Sequence, residues 1–173
     1  MKYVAFLRAI NVGGNAIIKM ADLKQMFESV GLENVQTYIQ SGNVIFASEE
    51  DSDVLEKQLE SRLEKAAPYP IKLFVRTMQD VQSIARNVPF TAKQEEAVYV
   101  AFLNQKLGKQ EKQTLLSLKS EADDFAVKGR EVYILRLDRE KSVFSNNFLE
   151  KQLKVSATTR NLTTIRKIAE KFK

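Results

Sequence analysis

The five residues Tyr3-Val4-Ala5-Phe6-Leu7 recur letter for letter as Tyr99-Val100-Ala101-Phe102-Leu103, an offset of 96 residues (99 − 3) in a chain of 173. A repeat at just over half the length constrains the fold strongly. Whatever is built around the first copy is expected again around the second. Each copy is an apolar run short enough for a strand, rich in residues that favour one.

The segments downstream of the two copies are similar in kind. After the first, Leu23, Met26, Phe27 and Val30 share one helical face that Gly31 closes. Alternating strands at 35–40 and 43–48 are joined through Ser41-Gly42 as a hairpin. A second helix begins near the Asp51–Asp53 cluster and buries Leu55, Leu59, Leu63 and Ala66. Pro68 and Pro70 end it, and a strand at 71–76 completes the unit. The order is βαββαβ, the ferredoxin-like plait.

In the second half, strand 97–104 precedes a helix near 109–119 and a hairpin of 122–127 and 131–137 around Lys128-Gly129. A helix carrying Phe144, Phe148, Leu149 and Leu153 comes next, then a short strand near 154–156. A final helix shows Leu162, Ile165, Ile168, Ala169 and Phe172 on one stripe. Thr77-Met-Gln-Asp80 reads as a capping box opening a helical connector that stops before Pro89. The expected class is α+β: two ferredoxin-like units related by internal duplication. Residues 1–77 form the first, 78–96 the connector, and 97–173 the second with its extra helix.

The leading strand carries a further message. Tyr3, Ala5, Leu7 and Ala9 lie on one face; Val4, Phe6 and Ile10 lie on the other with Arg8. Helices cover only one face of a lone plait. Burying Val4 and Phe6 is worth about 1.5–3 kcal/mol each, so the second face is expected to be covered, by the other half or by a partner chain.

Both early strands end in polar groups. Arg8-Ala-Ile-Asn11-Val-Gly13-Gly14 follows the first, and Gln40-Ser41-Gly42-Asn43 joins the next two. In a plait the hairpin turn before strand three lies near the exit of strand one, so these residues form one patch. Arg8 can grip a phosphate or carboxylate, or pair with Asp22 or stack on Tyr38. Gly13 and Gly14 suit an anion nest as well as a simple strand-to-helix turn. Ser41 and Asn43 suit the hairpin itself, which leaves Gln40 unused. Further along, Thr158-Thr159-Arg160-Asn161 precedes the last helix and reads as an N-cap or as an anion contact. Candidate ligand-binding residues are therefore Arg8, Asn11, Gly13, Gly14, Gln40, Ser41, Asn43, Arg160 and Asn161.

Composition removes much chemistry. With no histidine and no cysteine, the chain lacks Ser-His-Asp and Cys-His nucleophiles, Cys/His zinc sites and disulfides. No metal ligand set, cofactor motif or paired acid and base is evident; Walker and dinucleotide glycine patterns are absent. The net charge of +5 is uneven: residues 1–88 carry 10 Lys/Arg against 11 Asp/Glu, and 89–173 carry 17 against 11. A basic second half permits nucleic-acid binding through Lys151, Lys154, Arg166 and Lys167, or is simply a solvated surface. Sheet-face RNA stacking is disfavoured, because strand three reads Gly42-Asn-Val-Ile-Phe-Ala-Ser48 without the required aromatics. No apolar run approaches the length of a membrane span, and a cytoplasmic location is expected.

Arg8-Ala-Ile-Asn-Val-Gly-Gly14, Met20-Ala-Asp-Leu23, Thr37-Tyr-Ile-Gln-Ser-Gly-Asn-Val44 and Thr159-Arg-Asn161 resemble the signatures of the DUF1697 family, a mainly bacterial group without an established function. The resemblance implies a pair of ferredoxin-like domains and transfers no catalytic residue. The chain departs from the family pattern at Ala9, usually Gly, and at Leu162, usually Trp. The expected function is binding of an anionic or phosphate-bearing small molecule at the first unit's strand ends. A nucleic-acid-binding module and an enzyme without His or Cys stand as alternatives.

Overall fold

A computed structural model describes residues 1–8, 10–11, 14, 17–91 and 97–173. The elements run β1 (Lys2–Leu7), α1 (Met20–Ser29), β2 (Glu33–Tyr38), β3 (Asn43–Ala47), α2 (Ser52–Glu64), β4 (Leu73–Thr77) and α3 (Met78–Arg86). They continue with β5 (Val98–Leu103), α4 (Lys109–Ser117), β6 (Asp123–Lys128), β7 (Glu131–Arg136), α5 (Asn146–Leu153), β8 (Ala157–Asn161) and α6 (Leu162–Lys171). Each half is a four-stranded antiparallel sheet, in the orders β2-β3-β1-β4 and β6-β7-β5-β8. Two βαββαβ units are what the duplicated leading strand calls for, and those strands occupy the same central place in their sheets.

The chain divides into two compact units. One comprises Met1–Gln82 with Ile168–Lys173, the other Ser83–Lys167. The boundary falls inside α3 rather than at its ends, and the last turn of α6 groups with the first unit. In the first unit, Tyr3, Ala5 and Leu7 of β1 pack with Leu23 and Phe27 of α1 and with Leu55, Leu59 and Leu63 of α2. Ala66 is exposed instead, because α2 ends at Glu64. The second unit repeats this with Ala101, Leu103, Leu115, Ile134 and Leu149.

The opposite face of each sheet is also shielded from water. Val4 and Phe6 are fully buried, as are Val100 and Phe102. Within the first unit, Phe172 reaches this face and meets Tyr38 edge-on, ring centroids 5.9 Å apart. Within the second, the Tyr133 hydroxyl donates to the Ile84 carbonyl at 3.2 Å, which brings the end of α3 onto the sheet.

Several local signals hold. Thr77 and Asp80 form the reciprocal capping box: the Asp80 N–H donates to Thr77 Oγ1 at 3.0 Å, and the Thr77 N–H to Asp80 Oδ2 at 3.2 Å. Gly31, at φ 88°, ends α1 in the left-handed conformation that glycine adopts without penalty.

The last strand departs from expectation. It lies at Ala157–Asn161, not near 154–156, so Thr158-Thr159-Arg160-Asn161 is strand rather than a loop before the helix. Its β-branched threonines favour a strand, and β8 pairs with β5 from Tyr99 opposite Asn161 to Leu103 opposite Ala157.

The outer strands β4 and β8 are protected alike. The N–H groups of Leu73 and Val75 donate to Glu60 and Glu56 of α2, at 3.1 and 2.8 Å. In the second unit, the Ala157 N–H donates to Glu150 of α5 at 2.8 Å, and Asn146 donates to the Ala157 carbonyl at 2.9 Å. Each pair is four residues apart on its helix and satisfies edge groups that would otherwise invite another strand.

Candidate functional site

The exit of β1 and the β2–β3 turn meet at one corner of the first unit. The Leu7 N–H donates to the Gly42 carbonyl at 2.8 Å. Beyond it, Asn11 adopts φ 53° and uses its whole amide within the protein. Nδ2 donates to the carbonyls of Gln40, at 2.9 Å, and Ile18, at 3.0 Å; Oδ1 accepts the Ile18 N–H at 2.8 Å. Asn is one of the few side chains that tolerate this backbone conformation. Asn11 thus staples the loop after β1 to the hairpin.

The hairpin is closed with equal care. Asn43 is fully buried, and its Nδ2 donates to the Tyr38 carbonyl at 2.8 Å and to Ser41 Oγ at 3.1 Å. Gly42 has φ 85°, and a Cβ there would lie 2.5 Å from Ile10 Cδ1 and 3.0 Å from Leu7 Cβ. Only glycine fits this close approach of turn to loop. Ile39 also holds φ 52°, an outlier for a β-branched residue. Gln40 presents its carbonyl to Asn11, and its residue is exposed.

Arg8 faces elsewhere. It is half-buried, its N–H donates to the Lys72 carbonyl at 2.9 Å, and it lines a cavity of about 660 Å³ beside α2 and the approach to β4. Lys57, Ser61 and Lys72 share that cavity, together with Glu60 and Glu64. Three cations therefore meet two carboxylates, and Glu60 already accepts the Leu73 N–H. The lining is mixed in sign with a net positive charge, and a serine hydroxyl sits among the charges.

The structure brings Asn11, Gln40, Ser41 and Asn43 together as a frame whose amides bond mostly inward. Lys57, Ser61 and Lys72 beside Arg8 carried no sequence signal, since they lie on an ordinary amphipathic helix and an inter-element turn. Gly14, at φ 77°, is exposed with open space around it; Gly13 lies outside the described residues.

Arg160 and Asn161 belong to the second unit. Arg160 is buried on β8, donating to Thr158 Oγ1 and to the Thr159 carbonyl, both at 3.0 Å. Burial pulls its pKa down to about 10. Asn161 accepts the Thr164 N–H at 2.8 Å and so caps α6. Among the described residues no cluster of His, Cys, Asp or Glu could hold a metal ion, and no helix is long and apolar enough to cross a membrane.

A family model described as a protein of unknown function, DUF1697, matches residues 1–133. The match spans the stapled corner and the Arg8 cavity, and stops before Arg160. Among solved structures, a conserved bacterial protein from Streptococcus pneumoniae is similar at 25% identity with a TM-score of 0.82. The likeness covers 99% of this chain and 98% of that one. No curated protein matches.

Proposed function

The chain belongs to the DUF1697 family of proteins of unknown function, and we propose that it binds a small phosphate-bearing molecule at the β1 exit of its first unit. The observation that carries this reading is the cavity of about 660 Å³ with Arg8, Lys57 and Lys72 in its lining. A guanidinium held at a strand end, with two ammonium groups beside it, supplies directed donors and net positive charge for a phosphate. The volume lies within the range of about 300–1,000 Å³ usual for small-molecule pockets.

The rest of the lining narrows the ligand. Glu60, Glu64 and Ser61 accept hydrogen bonds, so hydroxyl groups on the ligand find partners beside the phosphate. A sugar phosphate has this combination. Asn11 and Asn43 act as the frame that fixes the loop and the hairpin next to Arg8, not as ligand contacts. The bacterial cytoplasm is the setting proposed for this binding, following the bacterial origin of the similar structure.

Calorimetric titration of the full chain with a panel of hexose and pentose phosphates tests the reading. Binding by the wild type that weakens about tenfold or more in Arg8→Ala, with the fold intact, is the expected result. Absence of binding across the panel, or affinity indifferent to Arg8→Ala, contradicts it.

A further inference from the structure

A second cavity, of about 420 Å³, lies in the first unit on the sheet face opposite α1 and α2, and it shares no lining residue with the Arg8 cavity. The charged side chains of its lining are Lys2, Lys171 and Lys173, with no Asp or Glu among the described lining residues, and the carboxyl group of Lys173 accepts from Lys2 Nζ at 2.7 Å. Three ammonium groups around one void outnumber that carboxyl group and leave the lining with a net positive charge. A concave surface of one sign concentrates ligands of the other.

The ammonium groups are arranged with donors to spare. Lys2 Nζ donates to the carbonyl of Phe172, at 2.9 Å, and to the carboxyl group of Lys173, at 2.7 Å, which occupies two of its three N–H donors. Lys171 Nζ lies 5.3 Å from the ring centroids of both Tyr38 and Phe172. Such cation–π contacts hold the charge in place and leave its hydrogens available.

An independent observation concerns the backbone. The β2–β3 register is regular except between Glu33 and Gln36, where Asn34 and Val35 stand opposite Phe46 alone. Asn34 takes φ 54° in this bulge. A bulge interrupts the pairing ladder and re-aims side chains, and bulges gather next to binding sites. This one serves the cavity: Asn34 and Gln36 both line it, while Val35 between them keeps its place in the core.

We infer that this cavity is a binding site for a nucleoside monophosphate. Its lysines take the phosphate. The amides of Asn34 and Gln36, each both donor and acceptor, read the polar edge of the base. Ile45 and Phe172 give the base an apolar wall. What sets this site apart from the Arg8 cavity is the pair of amides and the apolar wall it offers to a base.

Equilibrium dialysis of the full chain against adenosine and uridine 5′-monophosphates, with inorganic phosphate and the free nucleosides as controls, tests the assignment. Lys171 and Lys173 are exposed, so the double variant Lys171→Gln with Lys173→Gln is expected to fold and to weaken nucleotide binding about tenfold or more. Gln36→Ala is expected to alter the preference between the two nucleotides. Circular dichroism verifies the fold of each variant, and Lys173→Gln alone keeps the test open if the double variant does not fold. No nucleotide binding by the wild type at millimolar concentration overturns the inference. So does binding abolished by Arg8→Ala but not by the lysine variants, or inorganic phosphate that binds as tightly as nucleotide.

Discussion

The two units share element order, strand order and edge protection, yet they differ where the first strand leaves the sheet. In the first unit the chain takes residues 8–19 to reach α1, and the hairpin turn spans 39–42. In the second, residues 104–108 suffice, and Gly129-Arg130 turns the hairpin alone. The duplicated part is the core. The elaborated part is one corner, where Asn11 and Ile39 accept left-handed backbone and Gly42 admits no side chain. The second unit closes a sheet of the same strand order without it. Unusual backbone that a sister unit omits is consistent with the binding role proposed for this strand exit.

Exchanging glycine for alanine in the two hairpins should separate them most. Gly42→Ala meets both positive φ and a 2.5 Å contact with Ile10, so a loss of about 2–4 kcal/mol is expected in denaturant unfolding. Gly129→Ala has only Glu131 Oε2 near its Cβ, at 3.5 Å, and should cost about 1 kcal/mol for its φ of 60°. Equal losses would remove the distinction between a tailored corner and an ordinary turn.

Asn11→Ala takes the staple away. Three hydrogen bonds vanish and the Ile18 and Gln40 backbone groups lose their partner, for an expected loss of about 1–3 kcal/mol. Faster amide exchange at Ile18 and around Gln40, with the second unit unaffected, would locate the effect.

A smaller effect distinguishes the sheet faces opposite the helices. Tyr133 stands opposite Val100, where Ile45 stands opposite Val4 in the first unit. Burial first, and then the Glu131 carboxylate, push the Tyr133 pKa up to about 12. The folded protein therefore keeps a proton that the unfolded chain sheds near pH 10. Stability from this group is complete below that pH and is lost as pH rises towards 12. Tyr3 adds in the same direction, its pKa raised by burial and then by Asp51 and Asp80. Tyr133→Phe should flatten the alkaline fall in midpoint in part, and an unchanged slope would argue against it.

The plaits were legible because apolar period, capping box and hairpin glycines agree with one another. What escaped the sequence was decided by tertiary contact. Thr158-Thr159-Arg160-Asn161 looks like a helix cap, and Asn161 is one, but pairing with β5 draws the first three into a strand and buries Arg160. Asn11 and Asn43 were recognisable as unusual residues, while the direction of their amides, into the protein, depends on the Ile18, Gln40 and Tyr38 carbonyls that folding brings near. The lysine-lined cavity is the least legible of all. It needs a bulge at Asn34 and the return of Phe172 to the first sheet, and neither leaves a local pattern.

Mapping amide shifts of the full chain during titration with a sugar phosphate tests the division of roles between the units most directly. The expected perturbations gather at Arg8, Lys57, Ser61 and Lys72, and the equivalent exit at 104–108 stays silent. Shifts centred on 104–108, or spread evenly over both strand exits, would contradict a binding role specific to the first.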